Sequence, residues 1–172
     1  MVMDFLELAT SRFSERRFAD TPVEDEKLRR VLEVGRLAPT AENKQPQRIY
    51  VVRGAEGLEK MDAGTRCRFG APVVLILAYD MTEAARHPDV CDFGVVDTSI
   101  VATHMMLAAE ELGLHTCWVG LIDPSELRRQ FDIPKEQRVI SVMPLGYPSE
   151  RSRPAHLHAK RKPLEETVTF LD

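Results

Sequence analysis

Cysteine is scarce in this chain. The three present, Cys67, Cys91 and Cys117, are odd in number and far apart, so neither a disulfide framework nor a zinc cluster is expected. Long apolar runs are missing too: the longest, residues 71–79, is far too short to span a bilayer. Acidic Asp4 and Glu7 stand where a signal peptide would be apolar, which gives the expectation of a cytoplasmic protein without membrane association. No Gly-x-Gly-x-x-Gly fingerprint marks a dinucleotide domain. A net charge of -4 supplies no whole-molecule field for nucleic acid, and the basic residues gather locally instead. Without repeats, low-complexity blocks or a second compositional region, the 172 residues read as one domain, 1–172, long enough to bury a substantial core.

What the chain does have lies at its two ends. Arg12-Phe13-Ser14-Glu15-Arg16-Arg17-Phe18 offers three guanidiniums and a hydroxyl within six residues. Lys160-Arg161-Lys162 offers three more cations shortly before the end. Arg suits phosphate because its planar fork meets two oxygens at once. Between the clusters lies Ala38-Pro39-Thr40-Ala41-Glu42-Asn43-Lys44-Gln45-Pro46, a loop rich in side-chain amides. Charge at the ends and amides in the middle match the needs of a phosphorylated heteroaromatic cofactor.

Hydrophobic periodicity predicts a first helix over residues 3–11 and a clear amphipathic helix over 24–37, with Leu28, Val31, Leu32 and Gly35 on one stripe. A short strand is expected at 49–53, a weak helix near 56–63, and a central buried strand at 72–79, where β-branched residues crowd. Residues 97–112 predict a long buried helix whose inner face carries Ile100, Val101, His104, Leu107, Ala108 and Glu111. Another buried strand is expected at 116–121, then a short helix at 124–131 capped by Asp123, and a strand at 138–145. From 148 to 163 the pattern dissolves into Pro, Ser, His and basic residues, yet 167–171 alternates like a strand. A patternless arm over 148–172 with an apolar tip suggests docking on a neighbouring subunit. The alternation of elements implies a mixed sheet between helical layers.

The ordered motifs carry a resemblance. Arg-x-Ser-x-Arg-x-Phe, a helix, then Ala-Pro-Thr-Ala-x-Asn-x-Gln-Pro is similar to the opening of the FMN-dependent nitroreductase family. The match continues through Asp97-Thr98-Ser99-Ile100, His104-Met105-Met106-Leu107, and the stretch from Gly113 to Gly120. It closes with Pro144-Leu145-Gly146-Tyr147-Pro148 and Arg161-Lys162-Pro163-Leu164-Glu165-Glu166-Thr167-Val168. The resemblance implies a compact member of the family: an α+β fold, an α/β/α sandwich with a mixed, largely antiparallel sheet. It further implies a homodimer that exchanges C-terminal arms and holds FMN at the subunit interface.

The same resemblance implies roles residue by residue. Arg12, Ser14 and Arg161 would hold the FMN phosphate, with Phe13 giving backbone or stacking contact. Arg16 stands where the family places a cation near the pyrimidine side of the flavin, suited to charge that builds on reduction. Pro39, Thr40, Ala41, Asn43 and Gln45 match the segment that contacts the isoalloxazine, partly from the second subunit. Val119 and Gly120 match the stretch that passes beside the ring, Gly120 allowing close backbone approach. Many larger members carry an acidic residue at the position of Val119 and a second Lys at that of Ala159, two departures that fit the compact branch. The implied activity is hydride transfer from NADH or NADPH to a small electron-poor acceptor, such as a nitroaromatic or quinone. No side-chain nucleophile or general acid is demanded, and catalytic residues stay unassigned.

Other readings stay open at this point. The same scaffold hosts dehalogenation, azoline oxidation and flavin cleavage, and a flavin module reduced by a protein partner needs the same cofactor grip. A flavin-free protein for another phosphorylated ligand leaves the amide loop unexplained. His104 reads as a hydrogen-bonded core or interface histidine, and Cys117 as a small buried hydrophobe. Met105 and Met106 read as packing, as does Trp118. His156 and His158 read as solvent-exposed, so no metal is expected.

Overall fold

The computed structural model describes residues 4–87 and 91–171. Its helices are α1 (Phe5–Ser11), α2 (Asp25–Arg36), α3 (Ala55–Gly64), α4 (Phe93–Glu111) and α5 (Pro124–Gln130). Its strands are β1 (Gln47–Arg53), β2 (Val73–Asp80), β3 (His115–Thr116) and β4 (Gln137–Gly146). Met3, expected to open α1, lies outside the described residues; α1 itself is fixed by a capping box between Asp4 and Glu7. Among the described residues, no helix is long and apolar enough to cross a membrane.

The sheet runs β1-β2-β4-β3, and each of its ladders is antiparallel. The parallel component is an isolated bridge, Ser14 to Thr116, at the edge. β2 is buried along its apolar run because side chains alternate between two covered faces. Val73, Leu75 and Leu77 join Leu28 and Val31 of α2 with Val101 and Met105 of α4 in one core. Val74, Ile76 and Ala78 join Met61 of α3, Leu127 of α5 and Cys117 in the other. This is the expected α/β/α sandwich. Gly35 lets α2 and α4 approach, since a Cβ there would stand 2.6 Å from Met105 Cγ.

Three local expectations are corrected. α4 starts at Phe93, four residues before the predicted position, because the Asp92 carboxylate caps the N–H groups of Gly94 and Val95. Its buried face is turned accordingly: Asp97, Thr98, Val101, Ala102, Met105, Ala108 and Ala109 point inward, Ile100, His104 and Leu107 flank them, and Glu111 is exposed.

The strand expected at 116–121 shrinks to His115–Thr116 and one bridge between Val119 and Val142. Opposite Cys117 stands Pro144, which accepts the Cys117 N–H at 3.3 Å and has no N–H to return. At the C-terminus a 3₁₀ turn, Leu164–Glu166, precedes residues 167–171, whose predicted alternation forms no strand. Residues 159–171 are exposed throughout, with Phe170 at 82% and Leu171 at 93%. Strand-like alternation makes no strand without a neighbour to complete its hydrogen bonds.

Candidate functional site

Residues 12–18 leave α1 in extended form and lie along the sheet edge. Ser14 bridges Thr116, the Glu15 N–H donates to the Thr116 carbonyl at 2.9 Å, and Phe18 bridges Pro148. Extended backbone sends alternate side chains to opposite sides, so Arg12, Ser14 and Arg16 share a face. All three lie within electrostatic reach of the Cys117 thiol. Burial pushes that thiol's pKa up, and the pull of Arg16, Ser14 and Arg12 only partly offsets it. Cys117 is therefore the inert buried residue that was expected, although it underlies the cationic face.

Among the described residues, no carboxylate pairs with the cations on this face. Arg12 is half-buried, and its guanidinium has no partner among the described residues. Arg16 is exposed and spends one donor on the Ser14 carbonyl at 3.2 Å. On the other side of the segment, Phe13 meets His115 edge-on, with centroids 4.9 Å apart and planes at 83°. A half-buried guanidinium beside an exposed one, neither with a carboxylate partner among the described residues, forms a ready site for an oxyanion.

The amide loop is held under backbone strain. Glu42, Asn43 and Gln45 adopt φ of 52°, 55° and 51°, a region non-glycine residues seldom occupy. Asp97, 2% exposed, anchors the loop by accepting the Ala41 N–H at 2.9 Å, while its second oxygen is buried without a partner among the described residues. Thr40 Oγ1 accepts the Gln45 N–H at 3.0 Å, and the Gln45 amide turns back to the Asn43 carbonyl at 3.2 Å. Pro39, Asn43 and Gln45 are exposed, Thr40 and Ala41 half-buried. The Asn43 side chain stands exposed on this loop.

Not every predicted residue is gathered. Val119 is buried, and its N–H and C=O are both committed to Val142. Gly120 is exposed, with nothing within 4 Å of where a Cβ would stand, and its carbonyl accepts the Ile122 N–H at 3.1 Å. Arg161 donates to the carbonyls of His158 and Lys160. Among the described residues, no hydrogen bond or ion pair joins Arg161 or the 39–45 loop to Arg12, Ser14 or Arg16. His158, three residues before Arg161, nonetheless meets Phe13 with ring centroids 6.0 Å apart.

Trp118 is 37% exposed, less packed than its sequence context predicts. His104 is half-buried, with Nδ1 2.9 Å from the Ile100 carbonyl. His158, expected in solvent, is half-buried and sets Nε2 3.1 Å from the Thr10 carbonyl; His156 is exposed. Sequence reasoning missed the structural parts of buried Glu15 and Ser152, which are hydrogen-bonded behind the cationic face, and of half-buried His115 beside them. One available signal was Glu15 itself: in a period-two segment it must face opposite to Arg12, Ser14 and Arg16.

Comparison with known proteins meets this geometry from outside. The sequence pattern of the nitroreductase family matches residues 9–68 and 65–147. The chain is 35% identical over 156 residues to a Methanothermobacter thermautotrophicus protein with the provisional name NADH dehydrogenase/NAD(P)H nitroreductase, covering 86% of this chain and 79% of that one. A crystal structure of a nitroreductase family protein from Clostridium difficile 630 superposes with a TM-score of 0.90 at 39% identity, over 98% of both chains. A provisionally named nitroreductase of Desulfovibrio desulfuricans, solved in complex with FMN, gives 0.83 at 26% identity, over 97% of this chain and 96% of that one. Motif order, sheet topology and extent of match coincide across nearly the whole chain, and on that agreement the protein belongs to the nitroreductase family.

Proposed function

We propose that this protein is a cytoplasmic FMN-dependent oxidoreductase that carries hydride from NADH or NADPH to a small electron-poor acceptor, such as a nitroaromatic or quinone. The observation that carries this reading is the shared face of Arg12, Ser14 and Arg16, whose guanidiniums have no carboxylate among the described residues to neutralise them. FMN, when bound, supplies the two-electron chemistry, and the protein's part is to hold and orient it. Arg12 and Ser14 would donate to the phosphate oxygens. Arg16, two residues further along the same face, would bring positive charge towards the ring. The uncrowded face of Gly120 and the amides of Asn43 and Gln45 would line the ring and limit its rotation. Three free thiols are compatible with a reducing compartment.

The site is proposed to be completed in a homodimer, with residues 1–172 as one unit and 148–172 as the exchanged arm. Two apolar surfaces support this. Phe170 and Leu171 are almost fully exposed, and α4 carries an open groove of about 400 Å³ lined by Val95, Val96, Ser99, Ile100, Thr103 and His104. An arm seated across a subunit boundary would carry Arg161 away from its own chain and towards a neighbour's phosphate.

The test is the visible absorbance spectrum of protein purified without added flavin, repeated after excess FMN and gel filtration. Retained flavin bands, bleached by NADH or NADPH and restored by a quinone, are the expected result. Protein that stays colourless after FMN loading overturns the cofactor assignment, and loaded protein that neither nicotinamide reduces overturns the donor.

A further inference from the structure

Glu15 is the single acidic residue inside the basic run of residues 12–17, and it is 1% exposed. A carboxylate taken out of water must find donors, and this one finds them on two parts of the fold, its own segment and Ser152. Its Oε1 accepts the N–H of Arg16 at 2.9 Å and of Arg17 at 2.8 Å. Its Oε2 accepts the Ser152 hydroxyl and lies 3.4 Å from His115 Nδ1. His115 in turn sets Nε2 3.9 Å from Glu110 at the end of α4.

We propose that Glu15 is a positioning residue for ligand binding. It fixes the backbone from which Arg12, Ser14 and Arg16 project, and clamps the segment leading to Arg161 against that backbone, without meeting the ligand itself. Two consecutive N–H groups held by one oxygen set the peptide planes at Arg16 and Arg17, and therefore the direction in which Arg16 leaves the chain. Through Ser152 the same carboxylate fixes the point from which the C-terminal arm departs. Neighbouring bonds agree: the Ser149 N–H donates to the Arg17 carbonyl at 2.9 Å, and the Ala19 N–H donates to the Tyr147 carbonyl at 2.9 Å. The carboxylate lies behind the segment while the cations lie in front, so its charge is spent on backbone donors and not on neutralising Arg12.

This inference rests on the reading of Arg12, Ser14 and Arg16 as a phosphate grip, and comparing FMN with riboflavin, which lacks the phosphate, separates the two. Affinity for each flavin is measured by fluorescence quenching in the wild type, Glu15→Ala, Glu15→Gln and Ser152→Ala. The wild type is expected to prefer FMN. Glu15→Ala is expected to lose about ten-fold or more of that preference while holding riboflavin nearly as before. Glu15→Gln, which keeps an oxygen for the two N–H groups, is expected to recover most of it.

A folded Glu15→Ala protein with an unchanged FMN-to-riboflavin ratio overturns the positioning role and leaves the grip standing. Equal loss of both flavins makes Glu15 a structural residue only, and overturns it as well. A wild type that does not discriminate between the flavins overturns the grip, and the positioning role with it. Should Glu15→Ala fail to fold, Ser152→Ala decides, since it removes one hydroxyl and leaves the carboxylate its backbone donors. A reduced ratio there supports the clamp, and an unchanged ratio overturns it.

Discussion

At the scale of single residues, Arg12 and Arg48 show what an uncommitted charge means. Arg48 is partly shielded and pairs with Glu83 and Asp80, so its charge is answered within the chain. Arg12 is equally half-buried and has no such partner among the described residues. Arg12→Ala is therefore expected to weaken FMN binding by about 1.5–3 kcal/mol, roughly ten- to a hundred-fold in Kd, the range for a hydrogen bond to a charged group. Folding stability should move by no more than about 0.5 kcal/mol, because no side-chain hydrogen bond or ion pair among the described residues is lost. Flavin titration alongside urea unfolding checks both halves, and unchanged affinity sinks the phosphate role of Arg12. Arg12, Ser14 and Arg16 drew notice in the sequence as a basic cluster and through the family resemblance; that they alternate along one face emerges only once residues 12–18 are seen to be extended. Glu15 drew no such notice, because an acidic residue in a basic run looks like a solvated counter-charge until burial is known.

At the scale of elements, α4 depends on a residue just outside it. Asp92 accepts the N–H groups of Gly94 and Val95, accepts the Tyr79 hydroxyl at 2.6 Å, and pairs with Arg138 at 3.0 Å. The ion pair is largely exposed and adds little. Burial, and then the bond to Asp92, push the Tyr79 phenol's pKa up, so it stays protonated and donating at neutral pH. The cap is the larger part, and Asp92→Ala is expected to lower stability by about 1–2 kcal/mol.

Asp92→Asn, which keeps a capping oxygen, should lose less. Urea midpoints at constant m-value measure this, and equal loss in the two variants removes the cap as the cause. Sequence showed that α4 exists but not where it starts, because Asp92-Phe93-Gly94 looks locally like a turn. Gly94 is required there by tertiary contact: a Cβ would lie 2.1 Å from the Tyr79 ring. The strand predicted after β3 fails for a related reason, since whether residues 116–121 pair fully depends on Pro144, a residue far away in sequence.

At the scale of the whole molecule, the layered architecture was readable because β2 is apolar on both of its faces, which only a sheet covered on two sides can satisfy. The fate of the C-terminal arm was only half readable. Alternation at 167–171 is a local property, while the neighbour that would complete its hydrogen bonds belongs to no local pattern. Phe170 and Leu171 stand in solvent while the α4 groove lies open, and burying one against the other across a two-fold axis would satisfy both surfaces at once.

Removing residues 164–172 should therefore shift sedimentation at micromolar concentration from dimer to monomer and reduce FMN retention, with the sandwich still folding cooperatively. The core argues for the last point, because none of the residues lining either buried cluster lies beyond Tyr147. A truncated chain that stays dimeric would place the interface on α4 alone. A monomer that still retains FMN through gel filtration would mean that one chain suffices for the grip, and that Arg161 holds nothing across the boundary.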